Sequence, residues 1–366
     1  MASAVNRIIA TLSLIFFLVP VTYVRGPAPD KNDSQYIHLE NVSLDSTSPT
    51  RSRTGRLEYV RGWILDSENT DFGGISSMLA LPDNRFVMLS DSGVVIAFTL
   101  MEQEGKAARP YIAPLPEGPA ADNQFAKKNW DAESMVYNPD TGQYWVGYER
   151  AHSIWRYGPS FARKEASHKV GMMQKWPSNG GAEAMLRLAE QGEDGGDRFL
   201  VFSESAQYGK VKGAYQALIF DGDPAREDME PKLFGYRPPK GYLITDAALL
   251  PDGRALLLHR RFTPLDGVSA IVSIGDLSQI APGEIWSAEP IASLKSPLTV
   301  DNMEALAVTE EGNETIIWIA SDDNFNVVQQ SLLMKFRLLP DEQEERAAKA
   351  PKAKAEARPG FSSIPN

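Results

Sequence analysis

The sequence predicts an all-β fold, a β-propeller of four-stranded blades about 50–60 residues long. Three observations lead there. Between its ends the chain lacks helical periodicity and alternates short apolar runs with turn signals such as Pro82-Asp83-Asn84, Pro139-Asp140-Thr141-Gly142 and Pro251-Asp252-Gly253. A strand–turn–strand unit recurs five times. One apolar segment, Gly55 to Leu65, stands before the first unit and can supply the strand that the last unit lacks.

The units are explicit in the sequence. They are GGISSMLALPDNRFVMLSDSG from Gly73, DAESMVYNPDTGQYWVGYER from Asp131, GAEAMLRLAEQGEDGGDRFLVFSES from Gly181, TDAALLPDGRALLLHRR from Thr245 and VDNMEALAVTEEGNETIIWIASDDNFN from Val300. Each reads as a small or acidic residue, an apolar strand, a tight turn, a second apolar strand and a polar or charged residue. Aligning the first strands makes Ser76, Glu133, Glu183, Asp246 and Glu304 equivalent, at spacings of 57, 50, 63 and 58 residues. Weaker strand candidates follow each pair, such as Val94 to Leu100 and Ala270 to Leu277. Closing the ring with Gly55–Leu65 leaves no open blade edge. Five blades are therefore expected. Six follow if Tyr36 to Asp45 and the long stretch Glu104 to Gln124 hide more strands, and two β-sandwich domains are the rival architecture.

The ends read differently. Arg7 precedes the twelve-residue apolar run Ile8 to Val19, which is short for a membrane span and suits an export signal, with an uncleaved anchor as the alternative. The expected organisation is a signal peptide or anchor over 1–26, an extended leader over 27–54, the propeller over 55–340 and a solvated, disordered tail over 341–366. That tail is rich in Ala, Lys and Glu and interrupted by Pro. The expected location is the periplasm or the exterior, with no other membrane contact.

Composition excludes several functions. The 366 residues carry a formal charge of −11, which argues against nucleic acid or an anionic membrane as partner. There is no cysteine, so disulfides, thiolate zinc and a cysteine nucleophile are excluded, and the four histidines show no metal-ligand spacing. The chain has no G-x-S-x-G elbow, no P-loop, no G-x-G-x-x-G and no H-E-x-x-H.

What remains is acid. The innermost strand of a propeller blade lines the central channel, so an acid repeated at one point of several inner strands meets its copies near the axis. Glu133, Glu183, Asp246 and Glu304 form one expected ring. Asp91, Glu149, Glu204, Asp322 and Asp323 follow the second strands and form another, with His259, Arg260 and Arg261 at that place in the fourth blade. Crowded carboxylates must hold a cation, pair with a base or take up a proton. All-oxygen ligands in flexible loops suit calcium best and magnesium less well. Glu133, Glu304, Asp322 and Asp323 are the candidate metal ligands. Arg260 and Arg261 can grip a phosphate or carboxylate, and Glu149 or Glu183 can act as general base. The plainer reading is that strand-end acids accept hydrogen bonds from neighbouring blades. Trp130, Trp145, Trp155 and Trp176 could stack on sugars in a two-carboxylate glycosidase, or simply pack the second blade.

Several of these stretches also resemble a known family. VDNMEALAV…IIWIASDDNFNVVQQSLLMKFRL, DAESMVYNPDTGQYWVGYERAHSIWRY and ALLLHRRFTPLDGVSAIVSIGDL are similar to the bacterial phytase-like family, described as having esterase-like activity of phytase. The resemblance spans about Phe72 to Leu338 and is most specific at Asp322-Asp323-Asn324-Phe325-Asn326 with Gln329. It implies a β-propeller, export, and hydrolysis of phosphate or other esters. It carries over to Glu133, Glu149, Glu183, Arg260, Glu304, Asp322, Asp323 and Asn324, and departs at His259, where an acid is common, and at Ala305, where glycine is usual. The resulting expectation is an exported, cation-dependent hydrolase acting on an anionic small-molecule ester. The alternative is a non-catalytic propeller that binds a ligand or protein and uses calcium structurally.

Overall fold

A computed structural model describes residues 30–119, 130–192 and 195–341. Five small antiparallel sheets surround one axis as a five-bladed propeller. Each blade begins with the strand predicted to be innermost: Ile75–Leu81, Ala132–Asn138, Ala182–Leu188, Leu243–Leu249 and Asn302–Glu311. Each then steps outward through three further strands, as in blade 1 with Arg85–Ser90, Val94–Met101 and Lys106–Pro114. The turns between first and second strands are those read from the sequence, with Gly142, Gly253 and Gly312 at positive φ.

The ring closes as the sequence predicts. Blade 5 contributes Asn302–Glu311, Glu314–Asp322 and Ser331–Leu338, and its fourth strand is Leu57–Asp66 from the other end of the chain. The two pair antiparallel from Ser331 against Leu65 to Leu338 against Leu57. Among the described residues there are five blades and no sixth. His38–Asn41, from the Tyr36–Asp45 stretch, pairs with Leu57–Asp66 as an extra outer strand of blade 5. Lys106–Pro114, from the Glu104–Gln124 stretch, is the fourth strand of blade 1, and residues 120–129 lie outside the described residues.

The leader expected over 27–54 is partly built into the propeller. Ile37, Leu39 and Leu44 are buried, and Arg53–Thr54 pairs with the closing strand. The reason is an alternation of apolar and polar residues, Ile37-His38-Leu39-Glu40, that fits a half-buried edge strand and was too short to read alone. The signal or anchor over 1–26 and the tail from 342 onward lie outside the described residues.

Packing follows the ring. Five apolar clusters fill the five gaps between neighbouring blades. In the closing gap, between blades 5 and 1, Trp63 stacks on Trp318, which meets Phe86 edge-on. Trp63, on the closing strand, is fully buried. Trp145 and Trp176 are likewise buried in the gap between blades 2 and 3, so they pack the second blade and do not offer faces to a sugar. Replacing Trp63 with Ala is expected to cost about 3–5 kcal/mol, read as a lower urea midpoint for unfolding. An unchanged midpoint would show that the closing strand does not bear on the core.

Candidate functional site

Each inner strand carries an irregularity near its start. The register against the second strand slips by one residue between Ile75 and Ser77, Ala132 and Ser134, Ala182 and Ala184, Ile244 and Asp246, and Met303 and Ala305. These are β-bulges, in which one extra residue has no partner and the strand bends. The extra residues are Ser76, Glu133, Glu183, Thr245 and Glu304. The alignment read from the sequence is therefore right in four blades and off by one in the fourth, where Thr245 and not Asp246 holds the equivalent place. The error arises because Thr and Asp are adjacent and only the acid resembles its counterparts.

The bulged residues perform two tasks. In blades 1 and 4 they are hydroxyls that hook onto the next blade: Ser76 Oγ donates to the carbonyl of Ala132 at 2.6 Å, and Thr245 Oγ1 to that of Met303 at 3.2 Å. In blades 2, 3 and 5 they are glutamates. Oxygens of Glu133, Glu183 and Glu304 all lie within 4.8 Å of one another. A second group, Asp131, Glu133 and Glu149, meets the same limit and shares Glu133.

A second ring lies one step further along the second strands. Backbone pairing makes Asp91, Glu149, Glu204, Arg260 and Asp322 equivalent. Arg260 thus replaces an acid of the ring, and His259 beside it is fully buried against Tyr236, its pKa lowered to about 4 by burial. Arg260 is ion-paired with Glu304 at 3.2 Å and Glu204 at 3.3 Å, and donates to the side-chain oxygen of Asn302 at 2.9 Å. Asn302 in turn donates from its amide to Glu304 at 2.7 Å and to Asp322 at 3.4 Å. Arg150 pairs with Asp131 at 2.5 Å.

Below these rings the channel is apolar. Met78, Met135, Met185, Ala247 and Leu306 line a cavity of roughly 170 Å³ on the axis. The carboxyls therefore sit where a charge is poorly hydrated. Burial holds Glu133 well above the usual carboxylate range, and the charges of Asp131 and Asp91 push the same way. Burial also raises Glu183 and Asp322, assisted by Glu133 in one case and Glu304 in the other. For Glu204 burial again raises the pKa, against the pull of Arg260. Burial and a hydrogen bond with Asp131 bring Glu149 up to about 7. Glu149 also touches Glu183 and accepts from the Gly181 amide at 3.1 Å. Gly181 is required there, since a Cβ would lie 2.6 Å from the Glu149 side chain.

The other expected site residues fall elsewhere. Asp323 accepts from the amides of Gly74 and Phe325 and from the Ser331 hydroxyl, so its carboxylate clasps blade 5 to blade 1. Asp246 accepts from the amides of Ala247 and Leu306 and clasps blade 4 to blade 5. Arg261 turns outward to Asp266 and lies over the Tyr242 ring. Asp322 stays in the axial group, and its other oxygen accepts from the Asn324 amide. Asp131 and Asn302 are site residues that the sequence reading passed over. Both stand two places before a bulge, in WDAE and VDNME, and that shared offset was the available signal.

The phytase-like family model, described as esterase-like activity of phytase, matches residues 70–325. The chain belongs to the phytase-like family. The match encloses both rings and the bulged starts of all five inner strands. No curated protein matches the chain. Among solved structures, this phytase-like chain is similar to hydrazine synthase of Kuenenia stuttgartiensis at 14% identity and a TM-score of 0.33, over 70% of this chain. It spans 59% of that chain's length. The Cps50 (Swd1) β-propeller domain of Myceliophteria thermophila matches at 12% identity and a TM-score of 0.35, over 81% of this chain and 98% of that one. A luciferin-regenerating enzyme matches at 11% identity and a TM-score of 0.38, over 81% and 95%. Overlays this loose carry no chemistry across.

The Glu149 shift fixes a pH dependence. Its folded pKa of about 7 lies above the ordinary 4.5, so the folded state holds the extra proton. That stabilisation is present at low pH and is lost as pH rises through 7. Without divalent cations, melting temperature is expected to fall between pH 4.5 and 7.5, by the equivalent of about 3 kcal/mol. Glu149→Gln should flatten that slope; an equally steep slope in the variant would refute the assignment.

Clasps and axial acids should also separate by mutation. Asp323→Ala is expected to cost about 1–3 kcal/mol in chemical unfolding, because it strands a buried amide and hydroxyl, while leaving the melting slope between pH 4.5 and 7.5 unchanged. A flattened slope would place Asp323 in the axial group after all.

Proposed function

We propose that this chain is an exported, cation-dependent hydrolase of small anionic esters, with phosphate esters the leading substrates. The observation that carries the reading is the convergence of Glu133, Glu183 and Glu304 within 4.8 Å on the axis, with a single guanidinium, Arg260, set into the ring above them. Three carboxyls that close, two of them buried and Glu133 half-buried, need protons or a cation to coexist. The donor set fits a hard divalent ion: it is all oxygen, it comes from separate blades, and the histidine beside Arg260, His259, faces Tyr236 instead. Calcium suits such a set better than magnesium, which demands a tighter octahedron.

Glu133, Glu183 and Glu304 would hold the ion, with Asp131 and Glu149 around its shared edge at Glu133. A bound cation supplies charge stabilisation of a developing oxyanion and a more acidic water. Arg260 orients the anionic group of the ester, held in plane by Asn302. Glu149, hydrogen-bonded to Asp131 at the edge of the site, is suited to accept a proton from the attacking water and return one to the leaving group. The apolar floor excludes bulk water from beneath the reacting centre. Family membership supports hydrolase chemistry at this site. Export is supported by Arg7 and the apolar run from Ile8 to Val19, together with a chain free of cysteine.

Elemental analysis of purified protein, a chelator-dependent melt and turnover of p-nitrophenyl phosphate test the reading together. The expected result is calcium near stoichiometric, a lower melting temperature with chelator, and turnover that chelator abolishes. Glu133→Gln should weaken calcium binding at least tenfold. A chelator-sensitive melt with no turnover of any phosphate or carboxylate ester would instead favour a non-catalytic binding propeller with structural calcium.

A further inference from the structure

We propose that the face of the propeller carrying the acid rings docks on a phospholipid bilayer through three raised loops, on blades 3, 4 and 5. The surface does not depend on hydrolysis at the axis. Pairing of the second and third strands sets the relief of this face. In blades 1, 2 and 5 that pairing stops short of the ring, at Leu89, Tyr148 and Ala320, before Asp91, Glu149 and Asp322 are reached. In blade 3 it resumes past Glu204 at Gln207, and in blade 4 it runs past Arg260 to Thr263. At about 3.3 Å per residue, these two hairpins rise roughly 10 Å above the ring. In blade 5 the connection from Asp323 to Gln330 forms the third prominence. Asp323 pins it to Gly74 at one end, and Gln329 and Gln330 pin it to Asp301 at the other.

The tips of these loops are apolar and open. Val211 tops the blade 3 hairpin, Phe262 and Leu265 the blade 4 hairpin, and Val327 and Val328 the blade 5 loop. Leu265 is 98% exposed and Val327 fully so. Among the described residues eight large apolar side chains are exposed, and these are five of them. Apolar residues exposed singly need no explanation, whereas a concentration on the raised points of one face marks a contact. Lys210 and Lys212 flank Val211, and Asp266, the acid at the blade 4 tip, is held by Arg261 and Thr263. The opposite face differs: its turns carry the exposed acids Asp83, Asp140, Glu190, Asp252 and Glu311. The chain also joins the propeller on the side of the tips. Asn32 is hydrogen-bonded to Thr70, in the connection between the closing strand and the first inner strand. The sequence upstream of it holds the apolar run Ile8–Val19, and an uncleaved anchor there leaves this face toward the bilayer. A bilayer deforms to meet three separate convex tips at once, whereas a folded protein would need three matching hollows. A second copy meeting through the same patch would set the same lysines against one another. The charge of −11 argues against attraction by anionic lipid, so the apolar side chains carry the contact while Lys210 and Lys212 meet head-group phosphates.

The absence of cysteine makes the test clean. Leu265→Cys, Val328→Cys and, on the opposite face, Asp252→Cys are each introduced into the full chain and labelled with a fluorophore. Vesicles of phosphatidylcholine containing doxyl-phosphatidylcholine are then added. Emission from the labels at 265 and 328 is expected to fall to about half or less, because apolar tips at an interface reach the depth of the quencher. Emission from the label at 252 should not change. Val327→Asp with Val328→Asp should reduce the quenching at 265 about twofold, because the tips share one contact. All these positions are exposed loops, and melting curves establish that each variant is folded. No quenching at 265 or 328, or equal quenching at 252, would overturn the proposal. Emission at the tips that changes with protein concentration and not with vesicles would assign the face to contact between copies and overturn it as well.

Discussion

Antiparallel pairing of Leu57–Asp66 with Ser331–Leu338 is the constraint on which the rest of the structure depends. A propeller is a linear chain of blades until its two ends meet, and only the closed ring has an axis. Before closure, Glu133 and Glu304 belong to the second and fifth repeats of an open array. After it, their carboxyl oxygens are within 4.8 Å. The same ladder removes the exposed edge of blade 5 and brings Trp63 onto Trp318 and Phe86 in the last of the five gaps. Burial of apolar surface between blades thus supplies the free energy that holds like charges together at the centre.

The bulges convert that closure into a site. A regular strand has no residue to spare, whereas a bulge inserts one without a ladder partner and bends the strand around it. All five blades place a polar residue there. Ser76 and Thr245 use it to hook the neighbouring blade, and the three glutamates direct charge to the axis. One backbone device therefore both holds the ring together and builds its acidic centre. The acids that only clasp, Asp246 and Asp323, are separable from those that converge, because donors satisfy them from two blades. Glu133 and Glu183 instead stand chiefly among other carboxyls.

The sequence revealed the repeat, the number of blades and the strand that closes them, because alternation of apolar runs with turns is a local signal that recurs. It also placed Glu133, Glu183 and Glu304 in one ring, since an identical residue at an identical point of each repeat survives any error in the intervening loops. It misplaced Asp246 by one residue, because a bulge leaves no mark in composition and an acid beside a threonine looks like the conserved choice. Asp323 and Arg261 were drawn into the site by adjacency to Asp322 and Arg260. Side-chain direction alternates along a strand, so Arg261 turns to the face opposite Arg260, while Asp323 lies just past the strand that ends at Asp322 and is taken up by the Gly74, Phe325 and Ser331 donors. Asn302 was passed over because a neutral amide carries no charge signal, although it is the group that ties Arg260 to Glu304 and Asp322. The edge strand at His38–Asn41 was too short for periodicity to reveal.

The most direct test of the proposed axial cation site is anomalous diffraction from crystals grown with calcium and collected at long wavelength. A peak is expected on the propeller axis, bounded by oxygens of Glu133, Glu183 and Glu304 at about 2.3–2.6 Å. A map with no axial peak at saturating calcium, or with calcium bound only at the clasps near Asp323 and Asp246, would contradict it.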